Sequence, residues 1–328
     1  MTIREIAEIA KVSPATVSLV LNNKKGVSND TREKVLDLVE KYNYVSTNSI
    51  KNKPISNNIL FLKYVKSGMI VEENVGFIST IMESIEINCR KKGFNLIVVH
   101  SINKLAQTLS ELDYDQFSGA IVLGTEILAQ DLELLNYITI PYVVLDNDLG
   151  MFKANAVVMD NNALVYEVVK YFSSMGFDNI GYFRSSVKCQ NFIARHNAFK
   201  SAIQEMNLKQ DSEILIPPTL LGAYKAMKQY LDNDITLPRC AFADNDIIAL
   251  GVIKALREVG VKIPEEISIV GFDNIAFSII SSPPLSTMDI PKKTVGEVAL
   301  NLLLQSMENR NIVNVKIYVG GEMIIRES

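Results

Sequence analysis

The 328-residue sequence predicts a small all-α head joined to a long α/β body of parallel sheets covered by helices. Three observations predict it. Residues 1–45 hold three short apolar stripes at the helical period, separated by polar turns. Residues 59–328 alternate apolar runs of five to seven residues with longer amphipathic stretches. Between them, 46–58 has few apolar residues and no amphipathic period, and reads as a linker.

The head is read element by element. Thr2-Ile3-Arg4-Glu5 is a capping box, in which the Thr hydroxyl accepts from first-turn amides and the Glu reaches back. Ile3, Ile6, Ala7 and Ala10 then fall on one helical stripe. Ser13 caps a second helix whose first position, Pro14, needs no amide proton. Its inward face is Val17, Val20 and Leu21, leaving Pro14, Ala15, Thr16, Ser18, Leu19 and Asn22 on the other side. After the polar turn Asn23-Lys24-Lys25-Gly26, Ser28 caps a third helix with Val35, Leu38, Val39 and Tyr42 as its buried stripe. Two helices joined by a short turn, with a third closing the core, have the dimensions of a helix-turn-helix DNA reader. An ordinary three-helix cap on a larger domain has the same pattern. Small and hydroxyl-bearing residues on the outer face of the second helix allow close approach to a nucleic-acid backbone and favour the first reading.

In the body, strands are expected at Ile59–Val65, Leu96–Val99, Ala120–Leu123, Tyr142–Leu145, Ala156–Met159, Ile180–Phe183, Ile214–Ile216, Cys240–Ala243 and Ile267–Val270. Helices separate most of them, as at Gly76–Lys92, Asn162–Met175, Asn191–Met206, Gly222–Leu231 and Asp246–Val259. Repeated βα alternation implies parallel sheets with helices on both faces. About 270 residues of it exceed one comfortable sheet, so two lobes are expected, with a ligand in the crevice at the strand C-termini.

Composition narrows the class. Apolar residues make up 48% and charged residues 21%, which excludes disordered and fibrous chains. Cys89, Cys189 and Cys240 are odd in number and far apart, so they read as buried thiols in a reducing compartment. The charged start and the lack of any run of ~18 apolar residues predict a cytoplasmic protein with no membrane span. Net charge is −4, but residues 1–60 carry +3 and the rest −7, so only the head is suited to a polyanion. A solvated charged face would give the same count.

No catalytic, cofactor or metal machinery is visible. His100 and His196 lie in no metal-ligand spacing, and the chain has neither a glycine-rich phosphate loop nor a nucleophile elbow. What remains are polar residues at strand ends: Asp146, Asp160, Asn245-Asp246 and Asp273-Asn274. Such groups can take paired hydrogen bonds from a polyhydroxylated ligand, while Tyr224 can cover an apolar ring face. Singly, each reads equally as a helix cap or turn residue.

The head, Thr2 to Asn22 followed by Gly26-Val-Ser-Asn-Asp-Thr-Arg-Glu-Lys-Val35, closely resembles the lactose/galactose repressor (LacI/GalR) family of bacterial transcription regulators. Ala243-Asp-Asn-Asp-Ile-Ile-Ala-Leu-Gly251, Ile263-Pro-Glu-Glu-Ile-Ser-Ile-Val-Gly-Phe-Asp-Asn274, Pro283-Pro-Leu-Ser-Thr287 and Arg326-Glu-Ser328 extend the resemblance through the body. It implies a periplasmic-binding-protein-like body whose chain crosses between lobes three times. Lobe one is then about 59–160 with 290–318, and lobe two 161–289 with 319–328. It implies a homodimeric repressor on double-stranded operator DNA, controlled by a small-molecule effector, expected to be a sugar.

By position, the resemblance places Thr2, Ser13, Pro14, Ala15, Thr16, Ser18, Leu19, Asn22, Lys51 and Lys53 at the DNA. It places Asp146, Arg195, Tyr224, Asn245 and Asp273 at the effector. The discriminating positions Pro14, Ala15 and Leu19 are apolar, so base readout should lean on thymine methyls and neighbouring hydroxyls. The hinge departs from the family: Tyr44-Val45-Ser46-Thr47 and Ile50-Lys51 replace its usual residues, and Lys53 stands where a leucine wedge is expected. Lysine binds phosphate but does not unstack bases, so weaker DNA bending, or a shifted hinge register that uses Ile50, is expected. Other readings are a regulator controlled by a phosphorylated partner protein, a solute-binding module for uptake, and a cytoplasmic sugar-binding protein or enzyme.

Overall fold

A computed structural model describes residues 3–21, 27–42, 56–233, 236–309 and 313–328. The chain divides into two units, Met1–Ile55 and Ser56–Ser328. Thr2, Asn22, the turn after it, and the hinge positions from Tyr44 to Lys53, including Ser46 and Lys51, lie outside the described residues.

The head unit contains α1 (Ile3–Ala10), α2 (Pro14–Leu21) and α3 (Asn29–Lys41). Ser13 Oγ accepts from Thr16 N at 3.0 Å and Ser28 Oγ from Thr31 N at 3.3 Å, so both serines satisfy first-turn amides as caps. Ile6, Ala7, Ala10, Val17, Val20 and Val35 form the core where the three helices meet. The expected inward stripe of the third helix fails at its end. Tyr42 is exposed because the helix stops at Lys41 and the period no longer carries the next side chain inward, while Leu38 and Val39 are only half-buried.

The body strands in chain order are β1 (Asn58–Val65), β2 (Asn95–Ile102), β3 (Gly119–Leu123), β4 (Tyr142–Leu145), β5 (Asn155–Met159) and β6 (Asn179–Ser185). They continue with β7 (Lys209–Ile216), β8 (Cys240–Ala243), β9 (Ser268–Asp273), β10 (Ser286–Asp289), β11 (Lys316–Val319) and β12 (Glu322–Ile324). The body helices are α4 (Val75–Lys91), α5 (Leu105–Glu111), α6 (Asn161–Ser174), α7 (Gln190–Glu205), α8 (Leu220–Leu231), α9 (Asp246–Glu258), α10 (Ala276–Ile280) and α11 (Lys292–Glu308). One sheet has the order β11-β5-β4-β3-β1-β2, and the other β12-β10-β9-β8-β6-β7. Every described pairing is parallel except that of β12 with β10.

Burial follows from that topology. In β1, Ile59, Phe61 and Val65 face one core while Leu60, Leu62 and Tyr64 face another, so the strand is apolar on both sides, as parallel strands are. The helices α4 and α11 pack against one another over the first sheet, α6 on α7 and α8 on α9 over the second. The chain passes between sheets after β5, after β10 and after β11. In each sheet the first strand of the unit sends the chain outward to a neighbour and then back, to β3 beside β1 and to β8 beside β6. Ligand crevices form at such reversals.

Candidate functional site

The C-terminal ends of these strands converge on one cleft. Thr125 follows β3, Asp146 follows β4, Asn245 opens α9 after β8, and Asp273 ends β9; all line it together with Asn191 and Arg195 from α7. Asp146 has φ +66° and Asp273 φ +105°, a left-handed backbone region costly for a residue with a Cβ, so each carboxylate is aimed at the expense of strain. The space left in the cleft is about 20 Å³, room for a water and not for a sugar ring.

A relay of hydrogen bonds joined by one ion pair runs through the cleft and crosses between lobes twice. Thr125 Oγ1 donates to Asp146 Oδ2, and Asn191 Nδ2 donates to Asp146 Oδ1 at 2.8 Å. Asn161 Nδ2 donates to Asn191 Oδ1 at 3.0 Å, and Arg195 Nε to Asn161 Oδ1 at 3.0 Å. Arg195 Nη2 lies 3.5 Å from Asp273 Oδ1, and Asn74 Nδ2 donates to Asp273 Oδ2 at 2.8 Å. Arg195 is further held by the Asp244 carbonyl, and its guanidinium carbon sits 3.7 Å from the centre of the Phe272 ring. A planar fork fixed this way presents its remaining donors without losing rotamer freedom on binding.

Burial sets the electrostatics. Desolvation pushes the Asp146 carboxyl up to about 6, against the pull of Thr125 and Arg195. Burial raises Asp273 as well, with Arg195 and Asn74 acting in the opposite direction. Both groups are hydrogen-bond acceptors buried in the cleft, suited to hydroxyl or N–H donors. Burial also pushes the Cys189 thiol beside the cleft up to about 12, so it is no nucleophile.

Four of the five residues expected at an effector, Asp146, Arg195, Asn245 and Asp273, are brought together here. Tyr224 is not. It stands on α8, where its hydroxyl donates to Glu258 Oε2 at 2.6 Å and its ring lies near Lys228 and Lys254; this charged cluster holds it on the surface of the α8–α9 pair. Three other strand-end residues also serve structure and do not line the cleft. Asp160 caps α6 by accepting from Ala163 N at 3.1 Å. Asp246 is fully buried and accepts from Ile275 N, Ser278 Oγ and Thr287 Oγ1. Asn274 is taken up by Asp289 and Arg326. Asn245 does both jobs: its Oδ1 caps α9 at Ile248 N, leaving the amide nitrogen end for the cleft.

Sequence reasoning missed Asn74, Thr125, Asn161 and Asn191. Nothing local marks an asparagine inside a helix as a relay member; only the fold brings it to Asp146. His196 stacks on Tyr182 and pairs with Glu213, and among the described residues no cluster of His, Cys, Asp and Glu could hold a metal ion.

In the head, Ser13, Pro14 and Ala15 are exposed and Thr16, Ser18 and Leu19 half-buried at the start and outer side of α2. The Thr16 and Ser13 hydroxyls bond each other at 2.9 Å. The side chains described there are small or hydroxyl-bearing, with Leu19 the largest.

Comparison with known proteins decides between a helical cap and a DNA reader. The family model for bacterial regulatory proteins of the lacI family matches residues 2–47, and a periplasmic-binding-protein-like domain matches 169–328. The HTH-type transcriptional repressor PurR of Histophilus somni is 30% identical over 337 residues, covering 100% of this chain and 98% of the relative. The chain belongs to the lacI family. A PurR from Haemophilus influenzae is likewise 30% identical over 341 residues. Among solved structures, the Lac repressor dimer bound to operator aligns with TM-score 0.74 at 21% identity over 100% of this chain and 98% of that one. A LacI family regulator from Enterococcus faecium with bound ribose aligns with TM-score 0.70 at 25% identity, over 83% of this chain and 98% of that one. A complex of the regulator CelR with cellobiose gives TM-score 0.72 at 20% identity, over 100% and 99%.

As a lacI-family protein it is a DNA-binding transcriptional repressor and not an enzyme. The N-terminal helices, followed in sequence by two α/β lobes, match the Lac repressor fold. No helix among the described residues is long and apolar enough to cross a membrane.

Proposed function

We propose that this repressor acts in the cytoplasm as a homodimer on a two-fold operator, and that a sugar bound between the lobes sets its operator affinity. The observation that carries the sugar is the relay itself. Asp146 and Asp273 supply acceptors on either side of the Arg195 donor fork, with Asn245 beside them, which is the alternation a ring of hydroxyls satisfies. The relatives with ribose and cellobiose agree with it. A purine base is the second reading. Phe77 and Phe192 line the same cleft, and the curated relatives are named PurR.

At the DNA, Ser13, Thr16 and Ser18 are assigned to phosphates and base edges, and Pro14, Ala15 and Leu19 to thymine methyls; Thr2, Asn22, Lys51 and Lys53 complete the proposed set from outside the described residues. Self-association is assigned to exposed apolar side chains of the second lobe, Leu220 and Leu221 on α8 and Phe277, Ile279 and Ile280 on α10, the last of which is 75% exposed. A ligand that prefers one closure state of the lobes moves the heads of the dimer, and coupling of roughly 1–3 kcal/mol changes operator affinity several-fold to a hundredfold.

The test is a thermal-shift series with D-ribose, cellobiose, guanine and hypoxanthine, since a molecule that binds only the folded state raises the melting temperature by mass action. The sugar reading expects a shift with a sugar, its loss in Asp273→Ala, and unchanged operator binding by that variant. A shift with a purine alone supports the second reading. An Asp273→Ala protein that keeps the full response removes Asp273 from the site.

A further inference from the structure

The segment between β1 and α4 is folded around one carboxylate. Glu126, buried just past β3, accepts through Oε2 from Lys66 N at 2.7 Å, Ser67 N at 2.6 Å and the Ser67 hydroxyl, and through Oε1 from Ile70 N at 3.4 Å and Val71 N at 3.0 Å. A single anion thus gathers four backbone amides and fixes a loop that has no strand or helix of its own. The product of that fixation is the position of Asn74.

Asn74 stands at the N-cap of α4, where an asparagine side chain ordinarily accepts from the first turn, yet it makes no capping bond. It turns instead across the cleft, and its Nδ2 donates to Asp273 Oδ2 at 2.8 Å. The carboxylate settles which end of the amide is nitrogen, because a carboxylate oxygen accepts and does not donate. That leaves Asn74 Oδ1, inside a cleft-lining residue only 9% exposed, without a hydrogen-bond partner among the described residues. A buried acceptor left unpaired is costly, and such an atom in a ligand cleft calls for a donor.

Resting on the effector-cleft reading above, we infer that Asn74 is a specificity-determining contact for the effector, its Oδ1 accepting from an O–H or N–H group of the ligand. The neighbouring Asp273 carboxylate reinforces the choice. Between an amide oxygen and a carboxylate, this end of the cleft takes a hydroxyl or amino group and rejects a phosphate or carboxylate. Glu126 is its positioning residue, acting only through the 66–74 loop.

The experiment measures affinity by calorimetry for whichever of D-ribose, cellobiose, guanine and hypoxanthine shifts the wild-type chain, together with analogues that each lack one hydroxyl or N–H. Asn74→Ala should weaken the parent probe roughly tenfold. For one analogue, the loss seen with wild type should vanish in Asn74→Ala, because the missing donor and the missing acceptor are the same contact. Glu126→Gln should weaken the parent probe and leave that analogue's penalty in place. If every analogue keeps its wild-type penalty in Asn74→Ala while Asp273→Ala abolishes binding, the cleft reading stands and the assignment of Asn74 falls. If none of the four probes binds, both fall together.

Discussion

At the scale of single residues, burial raises the pKa of carboxylates in both lobes. Burial pushes Asp246 up to about 7 and Asp244 up to about 6, with Asp146 also at about 6 in the cleft, against an ordinary 3.8. Each of these groups holds its proton in the folded protein at a pH where the unfolded chain has released it. Their contribution to stability is therefore fully present below about pH 4 and is lost as pH rises through the folded values toward 7. Glu213 and Glu258 act in the opposite sense: salt-bridge and hydrogen-bond partners hold them at about 2, so their contribution disappears only when pH falls below about 4.5. Between these windows, from pH 5 to 7, the melting temperature should fall with rising pH. Asp246→Asn should flatten that slope, which calorimetry across the range reads directly. A slope unchanged in Asp246→Asn would remove this carboxylate from the account. Gly271 shows the same carboxylate from the other side: any Cβ there would run into Asp246 Oδ1, so Gly271→Ala should destabilise the lobe by displacing an acceptor that three donors share.

At the scale of elements, the loop ahead of α4 depends on Glu126 more than on any packing of its own. Glu126→Ala leaves the four backbone amides it gathers without their acceptor and should cost about 3 kcal/mol in urea unfolding, with Glu126→Gln costing less because the amide oxygen still accepts. An alanine variant as stable as wild type would show that water replaces the carboxylate. The same scale shows what could be seen in the sequence. Ser13-Pro14 and Ser28 announce helix starts by local chemistry alone, and the apolar runs of β1, β3 and β8 announce strands buried on both faces. Two short neighbouring strands of the second sheet could not be found that way. In β10 (Ser-Thr-Met-Asp) and β12 (Glu-Met-Ile) the side chains are mixed and the strands short, and they exist because a neighbouring strand offers its ladder. For the site, strand-end acidic residues were visible as a class, but which of them reach the cleft was not. Asp146 and Asp273 do, while Asp160 and Asp246 turn to helix amides and hydroxyls, a choice made by the packing around each one. Tyr224 was misplaced because Glu258, 34 residues on, holds its hydroxyl elsewhere.

At the scale of the whole molecule, the proposed dimer and the proposed allostery make separable predictions. Ile280→Asp puts a charge at the end of α10 on a side chain that is 75% exposed, and so should leave the fold intact. Sedimentation should then report a monomer, and operator affinity should drop steeply because a lone head makes half the phosphate contacts. Sedimentation as a dimer would place the interface elsewhere. Asp273→Ala should have the reverse profile, keeping the dimer and the operator while losing the response to effector.

The path of the chain between the sheets has a consequence for how the protein comes into being. The β11 strand is laid beside β5 from a position more than 150 residues further along, so the first sheet keeps an open edge at β5 until all of the second lobe but its last strand has been synthesised. Neither lobe can be made, cut out or exchanged as one uninterrupted stretch. A nascent chain must shield that bare edge through most of its synthesis, which makes slow, long-range closure and a demand for chaperones part of the cost of a sensor built this way.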